Sequence, residues 1–324
     1  MNIKRIILWS VAGVLMLAVI VALINRDALL EHFRVMNYTP SEEMGRVLDD
    51  LDLTDKGEYI FKASQPELSG RGEFNAHCRT DLSVEAAVLG CYADGDIFVY
   101  DIESKELDGI RELTTAHELL HAVWARMSES ERRALVEDLD RVLEDNREIL
   151  GAEIAEYETG EKQEELYVRA GTEVTKLSEK LEKHYAEIFN DQDKIVGFYN
   201  KYIAVFRKLE SEMEELAKQM ESLKASIETK TPEYKQQAEQ LNKEITEFNE
   251  CAETAGCFNS QWAFYTRRNE LTQAQDALQN MYAEINGMVE QYNVLVEKYN
   301  ADVLYNDKLN DMINSAVEPV EIEE

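Results

Sequence analysis

Five histidines occur in the 324 residues, and two of them stand four apart in Thr115-Ala116-His117-Glu118-Leu119-Leu120-His121-Ala122-Val123. On a helix, positions i and i+4 share a face, so both imidazoles reach one metal ion while Glu118 points beside it, where a metal-bound water would lie. With histidine this scarce, chance would place His-Glu-x-x-His in roughly one such chain in a hundred. Two surface histidines on an amphipathic helix are the simpler alternative. Leu119, Leu120, Ala122 and Val123 argue against it, because a stretch this apolar belongs to a largely buried helix. The chemistry on offer is hydrolysis by a zinc-activated water, with Glu118 as the general base.

A helix must hold this group. Leu113, Leu120, Val123, Trp124 and Met127 recur at helical spacing from about Ile110, and Ser128 with Glu131 forms an S-x-x-E cap that predicts a helix end near Met127. A second helix is expected to about Leu150. After a polar stretch ending at Gly160, a third is expected through Leu166, Val174, Leu177 and Leu181. Upstream, Ser41 and Thr54 read as helix caps. From Glu73 to Ile102 the texture changes: Val88, Leu89, Cys91 and Tyr92 precede a turn at Asp94-Gly95-Asp96, and Ile97–Tyr100 reads as a strand of a small sheet. The expected class is mainly α (α+β).

The stretch TAHELLHAV resembles the signature of the zincin metallopeptidases. The resemblance implies His117 and His121 as zinc ligands and Glu118 as general base, acting on a peptide or protein substrate. No third histidine stands at the downstream spacing of the metzincin branch, so the resemblance points to a glutamate, as in gluzincins. Glu165, in Glu165-Leu166-Tyr167, is the residue it implies; Glu173, two helical turns on and roughly on the same face, would be a partner behind the ligands or the alternative ligand. The sequence departs from the thermolysin-like pattern at Glu164, where that pattern has Asn, and at Arg169, where it has an acidic residue. By the same resemblance, Ile97–Tyr100 would be the edge strand that receives an extended substrate; His184 with Tyr185 offers a donor that would stabilise the transition state, a helix-surface histidine being the plainer alternative.

Further along, Ile195, Tyr199, Tyr202, Phe206, Leu209, Met213, Leu216, Met220, Leu223 and Ile227 alternate steps of four and three, as in a coiled coil. Thr231-Pro232 is expected to interrupt it, after which Tyr234, Ala238, Leu241, Ile245 and Phe248 resume the seam. Leu271 to Tyr299 repeats the pattern, so an antiparallel hairpin is expected, closed by a turn containing Cys251, Gly256 and Cys257. A long parallel oligomer is the competing arrangement, and a homo-oligomer or protein partner through the coiled coil is open.

Location follows from the first residues. Ile6–Ile24 are 19 residues without a charge, preceded by Lys4 and Arg5. As a helix they would be about 28 Å long, enough to span a bilayer. The flanking cations place the N-terminus in the cytoplasm and the body outside it; a cleaved signal peptide is the rival reading. Cys78 with Cys91 and Cys251 with Cys257 read as two local disulfides, which suits an oxidising compartment. The 65 acidic against 34 basic residues give a net charge of −31, which excludes nucleic acid as a partner. The expected organisation is a cytoplasmic stub at 1–5, a membrane anchor at 6–24, a zincin-like peptidase domain at 25–190, a coiled-coil hairpin at 191–315 and a disordered acidic tail at 316–324.

Overall fold

The computed structural model describes Met16 and residues 26–78, 88–155 and 159–315. The expected stub, the anchor apart from Met16, and the tail lie outside the described residues. No helix among the described residues is long and apolar enough to cross a membrane. By contact, the chain divides into a body, reaching Val205 and including the segment from Asn310, and a second unit, Phe206–Leu309.

The body begins with α1 (Arg26–Asn37), α2 (Glu42–Leu51) and α3 (Asp55–Ala63). Ser41 caps α2 and Thr54 caps α3, each side chain accepting a hydrogen bond from the amide three residues on. A three-stranded mixed sheet follows, in the order β1-β3-β2, from β1 (Glu67–Ser69), β2 (Gly90–Ala93) and β3 (Asp96–Tyr100). β1 runs parallel to β3 with Leu68 opposite Val99; β2 runs antiparallel with Gly90 opposite Val99 and Ala93 opposite Asp96. The β2–β3 turn is Asp94-Gly95, both with positive φ (53° and 91°), the backbone that matches strand twist in a two-residue hairpin. Cys78–Cys91 ties β2 to the end of α4 (Arg71–His77).

Two expectations are corrected here. The segment from Glu73 is helical as far as His77, because Phe74 is fully buried and inclined on Tyr100 while the His77 ring stacks on Phe98 at 4.1 Å. The strand Ile97–Tyr100 is the central one, not an edge: Glu67–Ser69 pairs with its far side.

The helical layer is α5 (Ile110–Arg126), α6 (Glu129–Asp145), α7 (Arg147–Ile154), α8 (Thr159–Glu173) and α9 (Glu179–Tyr185). α5 lies between the sheet and α8, which is why so many of its residues, from Thr114 to Trp124, are buried. Ser128 and Glu131 form the full capping box at the start of α6. The expected single helix to Leu150 divides at Asn146, whose side chain donates to the Val142 carbonyl and ends α6. The helix expected through Leu181 also divides. The carbonyls of Gly171 and Val174 accept from Gln192 Nε2 (2.9 and 3.1 Å), and Ser178 starts α9 as its N-cap.

The second unit is built by two long helices, α10 (Gln192–Glu253) and α11 (Gln261–Ile313). They are antiparallel: Lys230 pairs with Glu284, Tyr234 with Tyr282, Glu244 with Arg267 and Phe248 with Phe264. Cys251–Cys257 closes the tip. Pro232 does not interrupt α10, contrary to expectation. An interior proline costs about 3 kcal/mol, and the cross-helix contacts of Lys230 and Tyr234, on either side of it, hold the helix through the lost hydrogen bond.

Candidate metal centre

α5 and α8 build the centre between them. On α5, one side packs on β2 and β3 and another on α8, leaving a strip that carries His117 and His121. The close approach of α8 requires Gly171: a Cβ there would meet Leu120 Cδ1 at 2.6 Å and Tyr185 Cε1 at 2.7 Å. Trp124 and Tyr167 fill the rest of this contact, with ring centroids 5.0 Å apart. The docking brings Glu165, only 5% exposed, against both imidazoles. Its Oε1 lies 3.8 Å from His117 Nε2 and its Oε2 lies 3.5 Å from His121 Nε2. The three ligand atoms fall within 4.8 Å of one another.

Ligands held about 2.1 Å from one zinc ion stand roughly 3.4 Å apart; each Glu165 oxygen lies near that distance from a different imidazole, and one ligand atom from each of the three residues falls within 4.8 Å of the others. His121 Nδ1 lies 2.8 Å from Glu164 Oε1 and donates to it, so the lone pair that a metal would take is at Nε2, once that nitrogen gives up its proton.

The electrostatics follow from burial and neighbours. Burial drives the His117 pKa down to about 4, further than the Glu165 charge can restore it. Burial opposes the charged form of His121 too, but Glu164 and Glu165 accept from it and Glu118 adds its charge, so its pKa rises to about 10. For Glu165, burial alone would raise the pKa; His117, His121 and Arg169 outweigh it and hold the carboxyl below its usual range. At neutral pH the metal-free group is thus one neutral imidazole, one imidazolium and one carboxylate.

No protein-family model, curated protein or solved structure matches this chain. The chain is a mostly helical protein in which His117, His121 and Glu165 form a group able to hold a metal ion, at the spacing of a His-Glu-x-x-His motif completed by a downstream glutamate.

Glu118, 5% exposed, turns toward the sheet side of α5: a Cβ on Gly90 would stand 2.7 Å from both its Cγ and its Oε1. Glu173 is not among the three residues whose ligand atoms lie together; it accepts two hydrogen bonds from Arg169 (2.7 and 3.0 Å), and that pair is buried. At His121 the supporting carboxylate is Glu164, which the sequence marks only as a departure from the thermolysin-like pattern. His184 and Tyr185 meet Tyr167: His184 Nε2 lies 3.0 Å from the Tyr167 hydroxyl, and the Tyr185 hydroxyl donates to the Tyr167 carbonyl (2.6 Å). Tyr167 stands two residues from Glu165, which puts it on the other side of α8. The disulfides pair Cys78 with Cys91 and Cys251 with Cys257.

Proposed function

We propose that the chain is a zinc-dependent peptidase, held at the outer face of a membrane by residues 6–24. The observation that carries the reading is a His-His-Glu group whose ligand atoms lie within 4.8 Å of one another, with a second buried carboxylate, Glu118, on the helix of the two histidines. Zinc fits this donor set of two imidazole nitrogens and one carboxylate oxygen, and when bound it would lower the pKa of a water molecule and polarise a peptide carbonyl. The protein's own part is positional. His117, His121 and Glu165 would hold the ion. Glu164 fixes the His121 ring. Glu118 takes the proton from the attacking water and returns it to the leaving amine, and β2 limits where its carboxylate can sit. The two disulfides support a body outside the cytoplasm, and the uncharged run with Lys4 and Arg5 before it supports the anchor.

The length of the hairpin, 62 residues in α10 and 53 in α11, favours a second reading: a tethered scaffold whose metal group is structural. A peptide-library digest separates the two. The purified chain is expected to cut peptides, His117→Ala to lose both metal and cutting, and Glu118→Gln to keep one zinc per chain without cutting. Zinc retained by a chain that leaves every peptide intact would instead support the scaffold.

A further inference from the structure

α1 is amphipathic in an inverted sense. Its polar side faces the body: Arg34 donates to the Ala63 carbonyl (2.6 Å) and pairs with Asp96, its own carbonyl accepts from Gln65, and Glu31 pairs with Arg126 at 2.7 Å. Its apolar side faces outward, with Leu29 55%, Leu30 50%, Phe33 65% and Met36 71% exposed. At 3.6 residues per turn, residues 31, 34 and 35 centre on one side of the helix, and residues 29, 30, 33 and 36 centre roughly 160° away. A helix that docks through its charges and turns four large apolar side chains outward is built to be covered on that side.

The chain itself indicates what covers it. The 19-residue uncharged run ends at Ile24, two positions before α1 begins, so a run of that length in a bilayer delivers α1 at the membrane surface. Arg26, at the start of α1, suits the headgroup boundary. We propose that α1 lies in the membrane interface with Leu29, Leu30, Phe33 and Met36 among the lipids, and that Glu31 and Arg34 hold the body against it. Glu31 grips the last residue of α5, the helix that carries His117 and His121, so the metal group keeps a fixed bearing to the membrane. The substrate class this favours is the membrane-proximal segment of another protein. The inference rests on the membrane-anchored reading.

All cysteines among the described residues are paired, so one introduced cysteine gives a single labelling site. The full chain is reconstituted in phosphatidylcholine and phosphatidylglycerol vesicles with a nitroxide at Leu29→Cys, Phe33→Cys or Met36→Cys, and at the exposed control Arg46→Cys on α2. Oxygen collisions are expected to exceed those of a water-soluble nickel chelate at 29, 33 and 36, and the reverse at 46. Water-side values at all four positions, with the chain retained through an alkaline carbonate wash, would overturn the lipid-facing helix and leave the anchor standing. Shielding from both reagents with spin–spin broadening would put a second copy on α1 and overturn it too. Release in the wash would sink the anchor and this inference together.

Discussion

Replacing Gly90 by alanine adds one methyl group at the point where β2 meets the metal-binding helix. That Cβ would stand 2.7 Å from Glu118 Cγ, 2.7 Å from Glu118 Oε1 and 2.7 Å from Thr114 Cγ2, against a normal contact of about 3.5–4.0 Å. Something must move by roughly 0.8–1 Å. The Thr114 methyl is the stiffer neighbour, being on a β-branched residue in a helix, so the Glu118 side chain yields. On the proposed peptidase reading, in which Glu118 handles the reacting proton, a displacement of about 1 Å costs on the order of 100-fold in rate, or about 2.7 kcal/mol of barrier. Overpacking should lower stability by about 1–3 kcal/mol. Neither His117, His121 nor Glu165 is touched, so Gly90→Ala is expected to keep one zinc per chain, melt somewhat lower and cut peptides about 100-fold more slowly. Peptide hydrolysis measured beside metal content checks this. Full activity in a folded, zinc-loaded variant would refute the placing of Glu118 against β2 or its part in the reaction.

Glu164→Gln removes the acceptor that fixes the His121 ring, and zinc affinity is expected to fall about 10–100-fold in a chelator competition. Zinc entry at pH 7 should release one proton, from His121 with its pKa near 10, and none from His117 with its pKa near 4. Calorimetry in buffers of different ionisation enthalpy reads that number, and a value near zero or two would contradict the assigned charge states. Pro232→Ala restores a hydrogen bond inside a continuous helix and should raise the hairpin's melting temperature, with a gain of up to about 3 kcal/mol.

The histidine pair was legible because its geometry is local: two imidazoles at i and i+4 on the helix that ends at Arg126 leave little choice, while Glu165 was reached only through the family resemblance. The role of Glu164 was not legible. Glu164 and Glu165 point about 100° apart on α8, and only the angle at which α8 docks on α5 decides which touches which imidazole. The central place of Ile97–Tyr100 was hidden for a different reason: its second partner, Glu67–Ser69, is three residues long and shows no alternation to read. The division of the third helix is satisfied from afar, by Gln192 reaching the Gly171 and Val174 carbonyls. Pro232 shows the converse, a clear local signal overridden by packing on both sides of it. The outward apolar face of α1 emerged only once Glu31 and Arg34 were seen to carry the docking.

Zinc-edge X-ray absorption on the purified chain tests the central claim most directly. The account predicts two imidazole nitrogens at about 2.0–2.1 Å and carboxylate oxygen at about 2.0–2.2 Å, with the signal lost in Glu165→Ala. A sulfur scatterer at about 2.3 Å, or a zinc environment unchanged by Glu165→Ala, would contradict it.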